Sequence, residues 1–135
     1  MPHIFKTRVY YEDTDAGGVV YHARYLNFME RARTEFLLAL GYKNTTSGIA
    51  FIVREAKIEW LFPARLYDQI EVLTSIQFAN RLKVIFAHEV RSAANPEIIF
   101  CRGEVTVVSI NDKMKPCRFS GEMLKRIKEI INSKF

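Results

Sequence analysis

The alternation of apolar and polar residues divides the chain into a first strand, a long helix, a meander of strands and a last helix. Residues 4–11 alternate in the manner of a strand. From Tyr25 onward, apolar residues recur at steps of three or four and Gly41 follows as a C-cap, which predicts a buried helix about four turns long. The helix positions concerned are Met29, Ala32, Phe36 and Leu40.

Four further strands are predicted after a polar loop at 43–48. Residues 51–62 alternate up to Pro63 and suit a strand with one wet face. Two more strands are separated by a short turn at Asn80-Arg81, and Asn95-Pro96 marks the next turn. The apolar faces of these two strands are Ile70, Val72, Thr74, Ile76 and Phe78, then Leu82, Val84, Phe86, His88 and Val90.

The strand predicted over Ile98 to Ile110 contains a run, 105–108, that favours burial on both faces. Asn111-Asp112 ends it, and Ser120 is a suitable N-cap for the last helix. The apolar stripe of that helix is Met123, Ile127, Ile130 and Ile131. One long helix set against about five mostly antiparallel strands is an α+β fold, and residues 1–135 form a single domain without internal repeats.

Composition agrees with one ordinary domain, since 49% of the 135 residues are hydrophobic. We expect a cytoplasmic protein, because the first residues do not form a signal sequence and no apolar run approaches bilayer-spanning length. Cys101 and Cys117 are too far apart for a Cys-x-x-Cys motif and too few for a disulfide scaffold. We interpret Cys101 as a buried small apolar group and Cys117 as a loop thiol.

The net charge of +5 is compatible with phosphates of a ligand, an acidic partner, a membrane surface or simple solubility. Nucleic acid is the least favoured partner, because basic residues are spread along the chain and no nucleic-acid module is present. The densest basic group, Lys125, Arg126 and Lys128, is interpreted as the solvated face of the last helix.

The segment 10–22 carries the candidate chemistry, because it places carboxylates, two glycines and a histidine between a strand and a helix. At the start of a helix, the first backbone N–H groups lack partners within the helix and the macrodipole is positive. A carbonyl oxygen that becomes an oxyanion could be stabilised there without a charged side chain. A carboxylate beside that carbonyl would supply the second half of a thioester-cleaving site.

The run Tyr-Tyr-Glu-Asp-Thr-Asp-Ala-Gly-Gly-Val-Val-Tyr-His-Ala-Arg-Tyr-Leu from residue 10, followed by Glu-Arg-Ala-Arg at 30–33, closely resembles hotdog-fold acyl-CoA thioesterases related to 4-hydroxybenzoyl-CoA thioesterase. Within that family, the chain is most similar to the branch associated with the bacterial Tol-Pal envelope system. Weaker likeness continues through 51–54, 63–66 and 113–116, so it covers nearly the whole chain. The resemblance implies a sheet wrapped around a central helix, and hydrolysis of an acyl-CoA thioester without a metal or redox cofactor.

The resemblance places Asp15 at the family's catalytic aspartate, acting as a nucleophile that forms an acyl-enzyme anhydride or as a general base on water. From the residues alone, Asp15 could equally be a turn residue that binds local backbone N–H groups. Asp13 and Glu12 are interpreted as solvent-facing loop charges or salt-bridge partners.

His22 is the candidate auxiliary residue: its ring could orient Asp15 or water or protonate the thiolate, and its backbone N–H matches the family's oxyanion contact. The alternative is a histidine that caps the helix. Tyr11 matches a residue implicated in this branch, and a core aromatic is the alternative. Gly17, Gly18 and Val19 are the expected close contacts to substrate, because glycines permit a tight turn and close backbone approach.

Other hotdog enzymes carry a catalytic glutamate on the central helix, where this chain has Glu30. We expect Glu30 to pair with Arg33 or Arg31, and also to line the site of a partner subunit. The resemblance implies a homodimer with active sites between subunits, often assembled into a homotetramer. Lys113 and Lys115 are the candidates for binding CoA phosphates. Arg54, Arg81 and Arg102 are the alternatives for that role.

Two other functions remain open at this stage. A hotdog hydratase or dehydratase would use a histidine and Glu30 for acid-base work, with Asp15 dispensable. A non-catalytic module would bind acyl-CoA or acyl carrier protein in lipid metabolism near the envelope. No metal site is expected, since the three histidines, His3, His22 and His88, have no ligand-like spacing with cysteines or carboxylates.

Overall fold

The structure, a computed structural model, describes residues 2–42 and 50–132, so the loop predicted at 43–48 lies outside the described residues. Two α-helices and six strands are present within this part of the chain. In chain order they are β1 (His3–Arg8), α1 (Arg24–Ala39), β2 (Ala50–Trp60), β3 (Gln69–Ala79), β4 (Val84–Ser92), β5 (Ile99–Ile110), β6 (Pro116–Cys117) and α2 (Gly121–Asn132).

The strands form one sheet in the order β1-β3-β4-β5-β2, with the short β6 paired to β5, and every pairing is antiparallel. The sheet therefore has β1 and β2 at its two edges. The prediction of an α+β fold with about five mostly antiparallel strands is confirmed.

Helix α1 packs against β1, β3 and β4, and the core lies between this helix and the inner face of the sheet. Alternate residues of β3, β4 and β5 are buried because successive side chains of a strand point to opposite faces. The helix contributes Tyr25, Phe28, Met29, Ala32 and Phe36 to this core. The sheet contributes Ile70, Val72, Ile76, Val84, Phe86, Val90, Val105 and Val107.

The C-terminal cap of α1 is the one predicted from the sequence. Gly41 has φ +88°, its N–H donates to the carbonyl of Leu38, and the next N–H, of Tyr42, donates to the carbonyl of Leu37. These two bonds make a Schellman motif, which favours glycine at the left-handed position. Ser120 is confirmed as the cap of α2, because its hydroxyl accepts the Met123 N–H at 3.1 Å.

Several strand predictions need correction. The first strand ends at Arg8 rather than residue 11, and Tyr11–Asp13 form a short 3₁₀ helix. Phe78 was predicted on the inner face but is exposed, because the β3–β4 register shifts between Ile76 and Phe78. Leu82 was predicted in a strand and instead lies exposed in the turn before β4.

β2 does not have the single wet face that its alternation predicts. Both faces are largely exposed, because β2 is an edge strand and its register with β5 also shifts at Arg54. The run at 105–108 is only partly double-buried: Val105 and Val107 are buried, and Thr106 and Val108 are half-buried. Within the described residues, neither helix is long and apolar enough to span a membrane.

Candidate active site

Residues 13–21 form a small hairpin directly before α1. The carbonyl of Asp13 accepts the Tyr21 N–H, and the N–H of Asp15 donates to the carbonyl of Val19, each at 2.9 Å. Thr14 and Val20 are bridged between these two bonds. The hairpin holds Asp15 opposite Val19 and places the two glycines at its tip.

The Asp15 side chain is exposed, and its Oδ1 accepts the Gly17 N–H at 2.8 Å. The local turn bond considered from the sequence is therefore present. Gly18 has φ +78°, a conformation that side chains disfavour, which explains a glycine at this position. Because only Oδ1 is engaged among the described residues, the second carboxylate oxygen is available for chemistry.

Asp13 has a structural role and is not solvent-facing. Its side chain is only 2% exposed, its Oδ2 accepts the Tyr10 N–H at 2.9 Å, and its Oδ1 lies 3.5 Å from Nε of Arg24. The expected salt bridge is confirmed, and it ties the hairpin to the first residue of α1. Glu12 is exposed, as predicted, and its backbone carbonyl accepts a bond from Arg24.

The start of α1 presents backbone donors. The helix is preceded by Ala23, and no side chain in the described part of the chain caps its first turn. Among the described residues, the N–H groups of His22 and Ala23 donate to no acceptor. Together with the positive end of the helix dipole, they can stabilise a developing negative charge on oxygen.

The His22 ring is exposed and does not cap the helix, so the capping alternative is wrong. It lies in an aromatic cluster, with ring centroids 4.7 Å from Tyr21 and 5.7 Å from Trp60. The Trp60 indole N–H also donates to the His22 carbonyl at 3.0 Å. This bond fixes His22, two residues before the helix, and the alternation of β2 gave no signal for it.

A second anchor comes from inside the core. The buried Tyr25 hydroxyl accepts the Ala64 N–H at 3.1 Å, and burial raises the pKa of that hydroxyl. The Ala64 carbonyl in turn accepts the Val20 N–H at 2.8 Å, and Val19 is bridged to Arg65. The segment after β2 thus supports the hairpin from one side and α1 from the other.

Tyr11 lies in the 3₁₀ helix and is 83% exposed, so the alternative of a core aromatic is wrong. Its backbone carbonyl accepts the Thr14 hydroxyl at 2.7 Å, which helps to shape the approach to Asp15. The phenol is free to meet a ligand or a partner subunit.

Glu30 lines a cavity of about 490 Å³ between α1, the start of β2 and the inner face of the sheet. The predicted ion pair with Arg33 or Arg31 is wrong, because no positively charged nitrogen of the described residues lies within 4 Å of the Glu30 carboxylate. The lining is mostly apolar, and its residues are Glu30, Arg33, Thr34, Leu37, Leu38, Tyr42, Phe51, Ile52, Val53, Phe86 and Val107.

Lys113 and Lys115 are exposed in the turn after β5, and their N–H groups both donate to the Asn111 side chain. Ile110 pairs with Ala50, so this turn lies at the Ala50 end of β2, whereas His22 contacts the Trp60 end. Within one chain, the structure does not bring these lysines to Asp15.

Two of the three alternative residues for binding CoA phosphates already interact with other groups of the chain. Nε of Arg102 lies 3.5 Å from Oε2 of Glu89, and Arg81 donates to the Phe119 carbonyl at 3.4 Å. Arg54 is exposed at the β2 register shift.

A buried polar cluster lies behind the cavity and was missed by sequence reasoning. Nη1 of Arg33 is 3.1 Å from Nε2 of His88, and Nδ1 of His88 is 2.9 Å from the Thr74 hydroxyl. Burial and then the Arg33 charge lower the pKa of His88 from 6.5 to about 3, and burial lowers the pKa of Arg33 despite nearby Glu30. The alternation of apolar residues in β4 placed His88 inward but gave no sign of this partner.

Comparison with known proteins identifies the family to which the chain is similar. The model of the thioesterase-like superfamily matches residues 9–127. A protein named acyl-CoA thioester hydrolase YbgC from Escherichia coli O6:H1 is 43% identical over 113 residues, which cover 81% of this chain and 83% of the relative. A protein named acyl-CoA thioesterase YbgC from Haemophilus influenzae is 41% identical over 124 residues, covering 88% of this chain and 89% of the relative.

A solved structure agrees with this result. The crystal structure of a probable thioesterase from Bartonella henselae superposes with a TM-score of 0.80 at 34% identity. The match covers 88% of this chain and 98% of that chain.

Proposed function

The chain belongs to the thioesterase-like superfamily, and from this premise we propose that it is an acyl-CoA thioester hydrolase centred on Asp15. The printed activities of its relatives support the reaction type. The observation that carries the site is an exposed carboxylate, held by Gly17, in a hairpin that leads directly to unengaged N–H groups at the start of α1.

Asp15 can begin the reaction in two ways. Its free oxygen attacks the thioester carbon to form an acyl-enzyme anhydride, which water then hydrolyses, or it removes a proton from the water that attacks directly. Both routes give the carboxylic acid and free CoA. Intact-mass measurement of enzyme quenched in acid during turnover separates them, because only the anhydride adds the mass of the acyl group.

The start of α1 and the His22 ring supply the remaining steps. The N–H groups of His22 and Ala23 bind the carbonyl oxygen as it becomes negative, which lowers the barrier to attack. The exposed imidazole of His22 donates a proton to the departing thiolate. The Trp60 bond to the His22 carbonyl holds the peptide that carries this ring.

The free edge of β2 supports a homodimer. β2 has 11 residues, a length of about 36 Å, and its outer backbone groups face no other strand in the described part of the chain. Ile52 and Val53 are exposed on it, and an open edge with apolar residues is a surface for strand pairing. β1 is less suited, since it has six residues and carries Lys6 and Arg8.

Antiparallel pairing of β2 with its copy would make each active site from two subunits. The Trp60 end of one β2, which holds the His22 loop, would lie beside the Ala50 end of the other. Phe51 at that end lines the same cavity as Glu30, and the turn with Lys113 and Lys115 lies there as well. One subunit would supply Asp15, and the other the acyl cavity and the cations for CoA phosphates.

Thiol release from a panel of aliphatic and aromatic acyl-CoAs tests the proposed function. We expect Asp15→Asn to lower kcat by about 10²-fold or more, because the amide is neither a base nor a nucleophile. Glu12→Gln is the matched control, since Glu12 is an exposed carboxylate of the same loop, and it should retain the wild-type rate.

Other outcomes would favour the rival functions. Hydration of an enoyl-CoA that is lost with Glu30→Gln but not with Asp15→Asn would favour hydratase chemistry. Binding of acyl-CoA without turnover, unchanged by Asp15→Asn, would identify a binding module, and acyl-carrier-protein thioesters would then be compared. Assembly into a tetramer, cytoplasmic location and the link to the Tol-Pal system stay predictions.

A further inference from the structure

Arg33 carries a buried charge without a close counter-ion. The residue is 8% exposed, and none of the carboxylates in the described part of the chain lies within 4 Å of its guanidinium. Removing an ionised group from water costs several kcal/mol unless a partner of opposite charge offsets the cost. This unfavourable burial occurs where Arg33 lines the 490 Å³ cavity.

The close partner of Arg33 is neutral and fixed. A guanidinium only donates hydrogen bonds, so Nε2 of His88 must accept from Nη1, and Nδ1 of His88 therefore carries the proton and donates to the Thr74 hydroxyl. His88 and Thr74 are 3% and 0% exposed. This chain of bonds orients Arg33 without neutralising it.

Among the described residues, the rest of the cavity lining is apolar, apart from Thr34, Glu30 and the hydroxyl of Tyr42. Glu30 is exposed, so solvent screens its carboxylate, and it lies more than 4 Å from Arg33. A ligand in this cavity would place its chain against Leu37, Phe51 and Phe86 and meet one buried cation. An apolar cavity with one buried cation favours a ligand whose apolar chain ends in an anion, because a guanidinium binds a carboxylate through two parallel hydrogen bonds.

We propose that the Arg33 guanidinium binds the distal carboxylate of the acyl group, so that the preferred substrates are ω-carboxyacyl-CoA thioesters. This inference rests on the proposed function, since it assigns the acyl group to the cavity. It assigns Arg33 a role in specificity and none in the bond-breaking step.

The test compares acyl groups of equal length with and without the terminal charge. Rates of thiol release are measured for succinyl-, glutaryl- and adipyl-CoA against butyryl-, pentanoyl- and hexanoyl-CoA. We expect kcat/KM to be at least about 10-fold higher for the best ω-carboxyacyl member than for its uncharged match, which corresponds to one charged bidentate contact. Arg33→Met should abolish this ratio while retaining hydrolysis of the uncharged thioesters.

A second measurement does not depend on turnover. Free pentanoate, a chain that ends in a carboxylate, should raise the melting temperature of the wild-type protein and of Asp15→Asn more than the uncharged pentanamide does, and this difference should vanish in Arg33→Met. If that variant does not fold, Arg33→Gln replaces it.

The outcomes separate the two proposals. If uncharged acyl-CoAs are preferred and pentanamide stabilises as well as pentanoate, the inference about Arg33 is overturned while the thioesterase stands. If no acyl-CoA is hydrolysed, the proposed function fails. The difference between pentanoate and pentanamide then still decides whether Arg33 binds a carboxylate.

Discussion

Individual residues at the proposed site divide into those that we propose to react and those that hold these groups in place. Asp15 is exposed and lightly held, whereas Asp13, two positions earlier, is buried against Arg24. Tyr25 and Trp60 each help to hold the proposed site in place through one hydrogen bond. A substitution at Asp13 or Tyr25 is therefore expected to act through stability, and one at Asp15 through the rate.

The buried His88 predicts how stability depends on pH. Its pKa is about 3 in the folded protein and 6.5 when exposed, so the unfolded chain binds the proton first as pH falls. The contribution of this group to folding is complete above pH 6.5 and is lost progressively below it. We expect the free energy of unfolding to fall by about 2 kcal/mol between pH 6.5 and pH 5 from this residue.

Chemical denaturation across this pH range measures the effect. His88→Gln keeps an acceptor for Arg33 and a donor for Thr74 but does not titrate, so its stability should change less with pH. His22→Gln, at an exposed ring, is the control and should follow the wild type. Parallel curves for the wild type and His88→Gln would contradict the assignment.

The residue-scale chemistry was only partly predictable from the sequence. Asp15, the two glycines and the helix start are contiguous in the chain, so local order was enough to group them. Arg33 and His88 are 55 residues apart, and their contact depends on how α1 lies on β4. No local pattern encodes that distance, and an arginine on a helix is ordinarily interpreted as solvent-facing.

At the scale of elements, the sequence predicted which segments form strands better than it predicted where the strands end and which of their faces are buried. Period-2 alternation located β3, β4 and β5, because these strands have one side against the core. It failed at Phe78 and along β2, where register shifts and an open edge change which residues are covered. Neighbouring strands determine those features, so one strand's own sequence does not contain them.

The two sheet edges predict where subunits associate. We expect Ile52→Lys, on β2, to weaken dimerisation by about 10-fold or more, because it places a charge in each copy of an apolar edge. Ile4→Lys, on the opposite edge strand β1, is matched in exposure, at 44% against 39% for Ile52, and should leave the dimer unchanged. Sedimentation equilibrium of the two variants measures the dissociation constants, and equal weakening would exclude β2 as the interface.

At the scale of the whole molecule, the fold separates the two parts of the proposed site. α1 is about 24 Å long, and the hairpin with Asp15 precedes its start while the cavity extends along its second half to Leu38. The sequence resemblance implied sites between subunits, but the particular division follows only from the β2–β5 pairing and the Trp60 contact.

Mixing two inactive variants tests this division. Asp15→Asn removes the carboxylate, and Leu37→Trp fills the cavity, so each homodimer should be inactive. A randomly mixed population should recover about one quarter of the wild-type activity, because half the dimers are mixed and each has one intact site. The activity after co-refolding at equal concentrations is measured, and no recovery would mean that each site lies within one chain.

The described residues that line the cavity come from α1, β2, β4, β5 and Tyr42, and none of them belongs to the hairpin at 13–21. On the proposed assignment, substitutions that change the size or polarity of the cavity would leave the groups proposed to cleave the thioester unaltered. Substitution of a few lining residues such as Leu37 and Phe51 would then change which acyl group fits while the hairpin stays the same.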